Sequence, residues 1–210
     1  MNPSANIESP TGLKPEKLRE RIDAVVLGTS AGGVEALSVL LPALPRTFRA
    51  AILIVMHLPR DRPSLLVDIF QGKCQLPVRE AQDKEQVQPG TVSFAPPDYH
   101  LLVDEGPTLA LSVDDPVHYS RPSIDVLFES AADVYGPRLA GIILTGANAD
   151  GAQGLQTVRA AGGVTVVQRP DTAQVSLMPQ SALNRGPADF VLTLEQIAHL
   201  FQVMGGPSAH

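Results

Sequence analysis

The sequence has little cysteine, no cluster of lysine or arginine, and no apolar stretch long enough for a membrane. A single cysteine in 210 residues, Cys74, can neither close an internal disulfide nor build a zinc site. Ordinary packing in a reducing cytosol is the expectation for it. A formal net charge of −6, with the basic residues scattered, excludes the basic footprint that a nucleic-acid partner requires. No window approaches the roughly 20 apolar residues of a membrane span. The leading stretch "MNPSANIESPTGLKPEKLRER" lacks the apolar core of a signal peptide. A cytoplasmic protein without direct membrane insertion is therefore expected. Internal repeats and low-complexity segments are absent too.

What the chain does have is alternation. Short runs rich in valine and isoleucine, "AVVLG" (24–28), "AAILIVMH" (50–57), "LAGIILTG" (139–146), "GVTVVQ" (163–168) and "DFVLT" (189–193), lack polar interruption. Such runs predict strands covered on both faces, as in a parallel sheet. Between them, "GGVEALSVLLPAL", "SIDVLFESAADVYG", "GAQGLQTVRAAGG" and "TLEQIAHLFQVM" repeat apolar residues at the helical period. Residues 87–115 differ: Pro-Gly, Pro-Pro-Asp and Glu-Gly-Pro cut them into short segments that predict antiparallel hairpins. The expected fold is α/β, a doubly wound, mostly parallel sheet with helices on both faces and an antiparallel hairpin at one edge. Residues 1–21 read as a flexible N-terminal segment in which "KPEKLRER" is able to form a short helix. Residues 22–203 read as one catalytic domain, and 204–210 as a flexible tail.

In open α/β sheets, chemistry gathers beyond the carboxyl ends of the strands. The first run ends at Ser30, the second at His57, and the third leads into Asp150. The stretch "VVLGTSAGG" (25–33) admits two readings: a G-x-S-x-G turn exposing a serine, or a dinucleotide-binding turn with Ser30 in place of its middle glycine. The dinucleotide reading needs an acid at the tip of the second strand for the ribose, yet that strand delivers His57, and Asp61 lies past a proline-containing turn. The nucleophile reading uses all three residues. A serine hydroxyl needs a base, the base is usually histidine, and a carboxylate fixes its tautomer and stabilises the imidazolium. Each residue also has a plainer role available: Ser30 as a helix cap, His57 as a core or turn histidine, and Asp150 as the N-cap of the following helix.

Five motifs in order, "GTSAGGVEAL", "VMHLP", "RPSIDVLFES", "LTGANADGAQGL" and "LMPQSAL", resemble the catalytic domain of the CheB-type chemoreceptor protein-glutamate methylesterases. The likeness runs from about Val25 to about Phe201. It implies a parallel-sheet α/β fold distinct from the usual α/β-hydrolase, with Ser30 as nucleophile, His57 as general base and acid, and Asp150 orienting His57. It further implies main-chain oxyanion donors at Ala31 and Ala147, and a substrate-positioning role for Arg121, whose plainer alternative is a salt bridge. By the same resemblance the reaction is hydrolysis of glutamate methyl esters on the cytoplasmic domain of chemoreceptors, releasing methanol, with glutamine deamidation by the same route. No metal or organic cofactor is implied.

The chain departs from the family pattern at Ala31, where threonine is frequent, and at Ala147-Asn148, where "TGMG" is usual for Thr145-Gly146-Ala147-Asn148. These departures keep open an alternative: a weak or inactive esterase-like domain that binds signalling partners. The family's usual receiver domain would need far more than the residues preceding the first strand. The expectation is a stand-alone esterase, not gated by phosphorylation in cis and controlled by a regulatory protein in trans or by expression.

Overall fold

The computed structural model describes residues 7, 9, 11–58 and 64–206. The expectations for Asp61, for most of the first ten residues and for 207–210 lie outside the described residues.

Seven strands form one sheet in the order β3-β4-β2-β1-β7-β8-β9, every neighbouring pair parallel. They are β1 (Ala24–Thr29), β2 (Ala51–Met56), β3 (Val78–Glu80), β4 (Val92–Phe94), β7 (Leu139–Ile143), β8 (Val164–Gln168) and β9 (Phe190–Leu192). β1, β2, β7 and β8 are buried along their whole length, which is why they read as unbroken apolar runs. Alternate residues of β1 then belong to two cores. Val25 and Leu27 pack with α2 (Gly33–Leu40) and α7 (Leu194–Gly205), whereas Ala24 and Val26 pack with α4 (Ile124–Tyr135) and α5 (Ala152–Ala160). α1 (Leu18–Arg21) and α3 (Leu66–Phe70) join the first layer through Leu18, Leu66 and Phe70; α6 (Leu177–Arg185) joins the second through Met178 and Ala182.

Three details differ from the sequence-based expectation. The hairpin β5 (His100–Asp104) with β6 (Thr108–Ser112) forms its own two-stranded antiparallel sheet and does not extend the edge of the main one. Pro96-Pro97 after β4 removes two backbone donors, and Leu101, Val103 and Leu109 instead bury themselves with α4. The leading segment packs onto the domain before residue 22: Pro15–Arg21 is helical, as "KPEKLRER" allowed, and its Leu18 is 1% exposed. At the other end α7 continues to Gly205. Its start carries a full capping box between Thr193 and Gln196.

β1 lies at the point where successive strands turn from one side of the sheet to the other: β2 pairs with one of its edges, β7 with the other. A crevice at the carboxyl ends of such a pair is where this architecture places its ligands. Close packing of α4 over β1 defines one wall of that crevice. A Cβ on Gly28 would come within 2.3 Å of Ile124 Cγ2, and both residues are buried. Gly28→Ala is accordingly expected to overpack this contact at a cost of about 1–3 kcal/mol. For a chain of this size that lowers Tm by roughly 2–12 °C, readable in a thermal melt. An unchanged Tm would show that α4 is free to move off the strand.

Candidate active site

The three strand-end residues converge. The ladder between β1 and β2 runs one step past the strands, the His57 N–H donating to the Thr29 carbonyl at 3.1 Å. On the other side of β1, Leu144 N–H donates to Gly28 O and Ser30 N–H to Thr145 O, both at 3.0 Å. Ser30 and His57 thus leave neighbouring strands at the same height, and both line one cleft of about 230 Å³ with Leu58, Tyr119, Ser120, Arg121, Pro122 and Asn148.

Asp150 sits behind His57, fully buried. Its Oδ2 accepts from His57 Nε2 at 2.8 Å and from the Ile124 N–H at 2.7 Å. Its Oδ1 accepts from Ser123 Oγ at 2.9 Å and from the Asp125 N–H at 3.1 Å. The carboxylate therefore caps α4 from a distance and does not cap α5, whose N-cap is Gly151 without a side-chain bond. Burial alone pushes the Asp150 carboxyl up, but the bonds from His57, Ile124 and Asp125 outweigh it and hold it below the ordinary aspartate value. An ionised carboxylate is acceptor-only, so Nε2 of His57 carries the proton and Nδ1 is left with the lone pair.

The turn after β1 does not use Ser30 as a cap. The Gly33 N–H bonds the Ser30 carbonyl at 2.8 Å, and the N-cap of α2 is Gly32, at φ +80°, with no side-chain capping bond. Among the described residues the Ser30 hydroxyl makes no hydrogen bond, and the N–H groups of Ala31 and Ala147 are likewise without an intramolecular partner. Both N–H groups belong to exposed residues on the two loops that flank the cleft.

Arg121 is more committed than expected. Its Nε and Nη2 donate to Asp98 Oδ1 at 3.0 and 2.8 Å, and its Nη1 donates to the carbonyls of Val113 and Asp114 at 2.7 and 3.1 Å. It lines the cleft, yet every nitrogen of the guanidinium holds the chain together. Its plainer alternative, the salt bridge, is what the geometry contains.

Sequence reasoning missed the residues that lock this arrangement. Thr145, 1% exposed, donates through Oγ1 to the Ala31 carbonyl at 2.8 Å and accepts the Val175 N–H at 2.9 Å, while its own N–H donates to Gln168 Oε1 at 2.9 Å. Thr29 Oγ1 adds a bond to the Thr145 carbonyl at 2.9 Å. These bonds stitch the turn after β1 to the loop after β7. Ser123 holds Asp150, and its own N–H donates to Nδ1 of the buried His100 at 3.1 Å. A polar residue at the tip of an apolar run, as at Thr145 and Gln168, was the only available signal. Among the described residues no group of three or more His, Cys, Asp or Glu is placed to hold a metal ion.

Asp125, in the first turn of α4, carries an opposite electrostatic burden. Burial pushes its carboxyl up to about 6, against the hydrogen bond its Oδ1 accepts from the Gly154 N–H, with Asp150 and Glu129 adding repulsion. A folded value above the unfolded one near 3.8 means that the native state holds this proton more tightly. Stability from this group is full at low pH and is lost as pH rises through about 6. Asp125→Asn keeps an acceptor for Gly154 and removes the buried charge. It is expected to raise Tm at pH 7.5, with the gain over wild type shrinking between about pH 6 and pH 4. A gain that does not change with pH would mean that the charge is not its origin.

The chain is similar to known proteins in both sequence and fold. A family model described as CheB methylesterase matches residues 25–201. A putative protein-glutamate methylesterase/protein-glutamine glutaminase of Leptospira interrogans is 47% identical over 179 residues, covering 85% of this chain and 93% of that protein. Protein-glutamate methylesterase/protein-glutamine glutaminase 1 of Chromobacterium violaceum is 37% identical over 203 residues, 95% of this chain, which spans 56% of that longer protein. Among solved structures, the Thermotoga maritima CheB methylesterase catalytic domain superposes with a TM-score of 0.80 at 33% identity, covering 87% of this chain and 98% of that one.

Proposed function

The chain belongs to the CheB methylesterase family, and on that premise we propose that it is a serine hydrolase that removes methyl esters from glutamate side chains of chemoreceptors and deamidates glutamine at the same site. The observation that carries this reading is the bond from His57 Nε2 to a buried, ionised Asp150, at a cleft that also exposes Ser30.

The chemistry follows from the order of the groups. Ser30 Oγ attacks the ester carbonyl as its proton passes to Nδ1 of His57, and Asp150 stabilises the imidazolium through Nε2. The negative oxygen of the tetrahedral intermediate is met by the main-chain N–H groups of Ala31 and Ala147, which hold no other partner among the described residues. Collapse expels methanol, protonated by His57; water then releases the glutamate by the same steps in reverse. With a glutamine substrate the leaving group is ammonia. Arg121 serves by holding the cleft's wall through Asp98.

The size of the cleft supports a protein substrate. About 230 Å³ falls below the roughly 300–1,000 Å³ of small-molecule pockets, and suits one side chain presented from a larger surface. Tyr119, 98% exposed at the rim, gives such a surface an aromatic contact. No helix of the described residues is long and apolar enough to cross a membrane; the cytoplasmic domain of a receptor places the reaction in the cytoplasm. Incubating the purified chain with methylated receptor membranes is expected to release methanol and to remove one methylene mass per glutamate in receptor peptides. Membranes left fully methylated would refute the proposal and favour the binding-module alternative.

A further inference from the structure

The lone pair that Ser30 needs is already occupied. His57 Nδ1 accepts a hydrogen bond from the Asn148 carboxamide, Nδ2 to Nδ1 at 3.3 Å, while no bond joins it to the Ser30 hydroxyl. The carboxamide cannot simply turn over, because its Oδ1 accepts the Asp150 N–H at 3.2 Å, and Ser120 Oγ lies 3.5 Å from the same Nδ2. An acceptor oxygen must face that N–H, so the NH₂ group faces the imidazole. Neutral imidazole has one in-plane lone pair on Nδ1 and cannot accept from Asn148 and from Ser30 together.

We infer that Asn148 is a latch on the catalytic base: a positioning residue that holds His57 oriented on Asp150 but keeps its basic nitrogen away from Ser30 until the carboxamide is displaced. The inference rests on the triad reading above and adds a regulatory step within it. Aligned for Asp150, the ring is ready; capped by Asn148, it is idle. The latch acts before the chemical step, through the fraction of molecules in which Nδ1 is free. A neutral hydrogen bond of this kind shifts such a population by roughly two- to tenfold.

The decisive variant is Asn148→Ser. A serine hydroxyl is able to accept from the N–H two residues on, as in an ST-turn, and so retains the support for the Asp150 loop. It is too short to reach the imidazole. Asn148→Gly removes both contacts. The probe is a fluorophosphonate: Ser30 Oγ forms a bond to phosphorus, fluoride leaves, and the hydroxyl proton passes to His57. Asn148→Ser is expected to raise the maximal labelling rate about two- to tenfold with the half-saturating probe concentration unchanged. In ¹⁵N NMR its His57 Nδ1 resonance should move toward the value of a nitrogen without a donor. Faster labelling of the serine variant with a slower glycine variant also supports the latch, since only glycine loses the loop contact. A folded Asn148→Ser that labels at the wild-type rate or more slowly, or leaves the Nδ1 resonance in place, overturns it. Wild-type protein that labels no better than Ser30→Ala refutes the hydrolase reading instead, and the resonance then tests the latch by itself.

Discussion

Ser30→Ala and His57→Ala are each expected to lower methanol release by at least about 10³-fold while leaving the fold intact. Among the described residues the Ser30 side chain has no hydrogen bond to lose, so its replacement removes the nucleophile and little else. The His57 side chain bonds Asp150 at 2.8 Å and accepts the longer Asn148 contact at 3.3 Å. Its loss leaves that carboxylate with three other donors, and the structure should tolerate the change. Groups that act as a unit in covalent catalysis are not additive, because removing either one stops the same step. The double variant Ser30→Ala/His57→Ala should therefore be no slower than either single one. The measurement is methanol release from methylated receptor, beside a thermal melt of each variant. A double variant slower by the product of the two single effects would mean that the residues act in separate steps.

Asp150 carries the other large effect, and there activity and stability fall together. Its carboxylate receives four donors: one from the imidazole, one from Ser123, and two from the first amides of α4. Asp150→Ala leaves these buried groups unpaired, for which about 3–5 kcal/mol is the expected cost. That corresponds to roughly 6–20 °C in Tm at this chain length. Asp150→Asn is milder in both respects. With its oxygen kept toward His57 and Ile124, the amide NH₂ faces the Ser123 hydroxyl, which is able to accept, and the Asp125 N–H, which is not. One unsatisfied donor costs about 1–3 kcal/mol. The proton on Nε2 is then preserved but the charge opposite the imidazolium is gone, and turnover should drop by about 10²–10⁴-fold. Acid should act on the wild type in a related way. Asp150 titrates below its ordinary value when folded, so its contribution is complete above the unfolded value of 3.8 and disappears as pH falls through the folded one. An Asp150→Ala protein that melted with wild type and kept its activity would separate this carboxylate from both helix and base.

Much of this site was legible in the chain because of where the apolar runs stop. Strands buried on both faces carry no polar alternation, so the polar residues that follow each run stand out: Ser30 just past Thr29, His57, and Asp150 past Thr145 and Asn148. α6 did not stand out, since "LMPQSALNR" buries only Met178, Pro179 and Ala182 and shows a weak helical stripe. β3, three residues with none fully buried, offered no run at all. The leading segment looked polar as a whole, and Leu18, its one fully buried side chain among the described residues, is an apolar residue in a charged stretch. Arg121 shows the limit for function. Its residue type and neighbourhood suited a substrate-binding role, but the carbonyls of Val113 and Asp114 and the carboxylate of Asp98 that occupy it are not marked by any spacing.

By itself the sequence determined the layering, the direction of the strands and which side chains stand at their ends, because burial periodicity is a local property of the chain. Only the tertiary structure decided how those side chains meet. Asp150 caps α4, 26 residues before it in the chain, while binding the base; Thr145 ties two loops 114 residues apart; and the free nitrogen of His57 faces Asn148. Hydrogen bonds between distant segments depend on where the packed helices and sheet carry each backbone, and no local pattern of residues records that path.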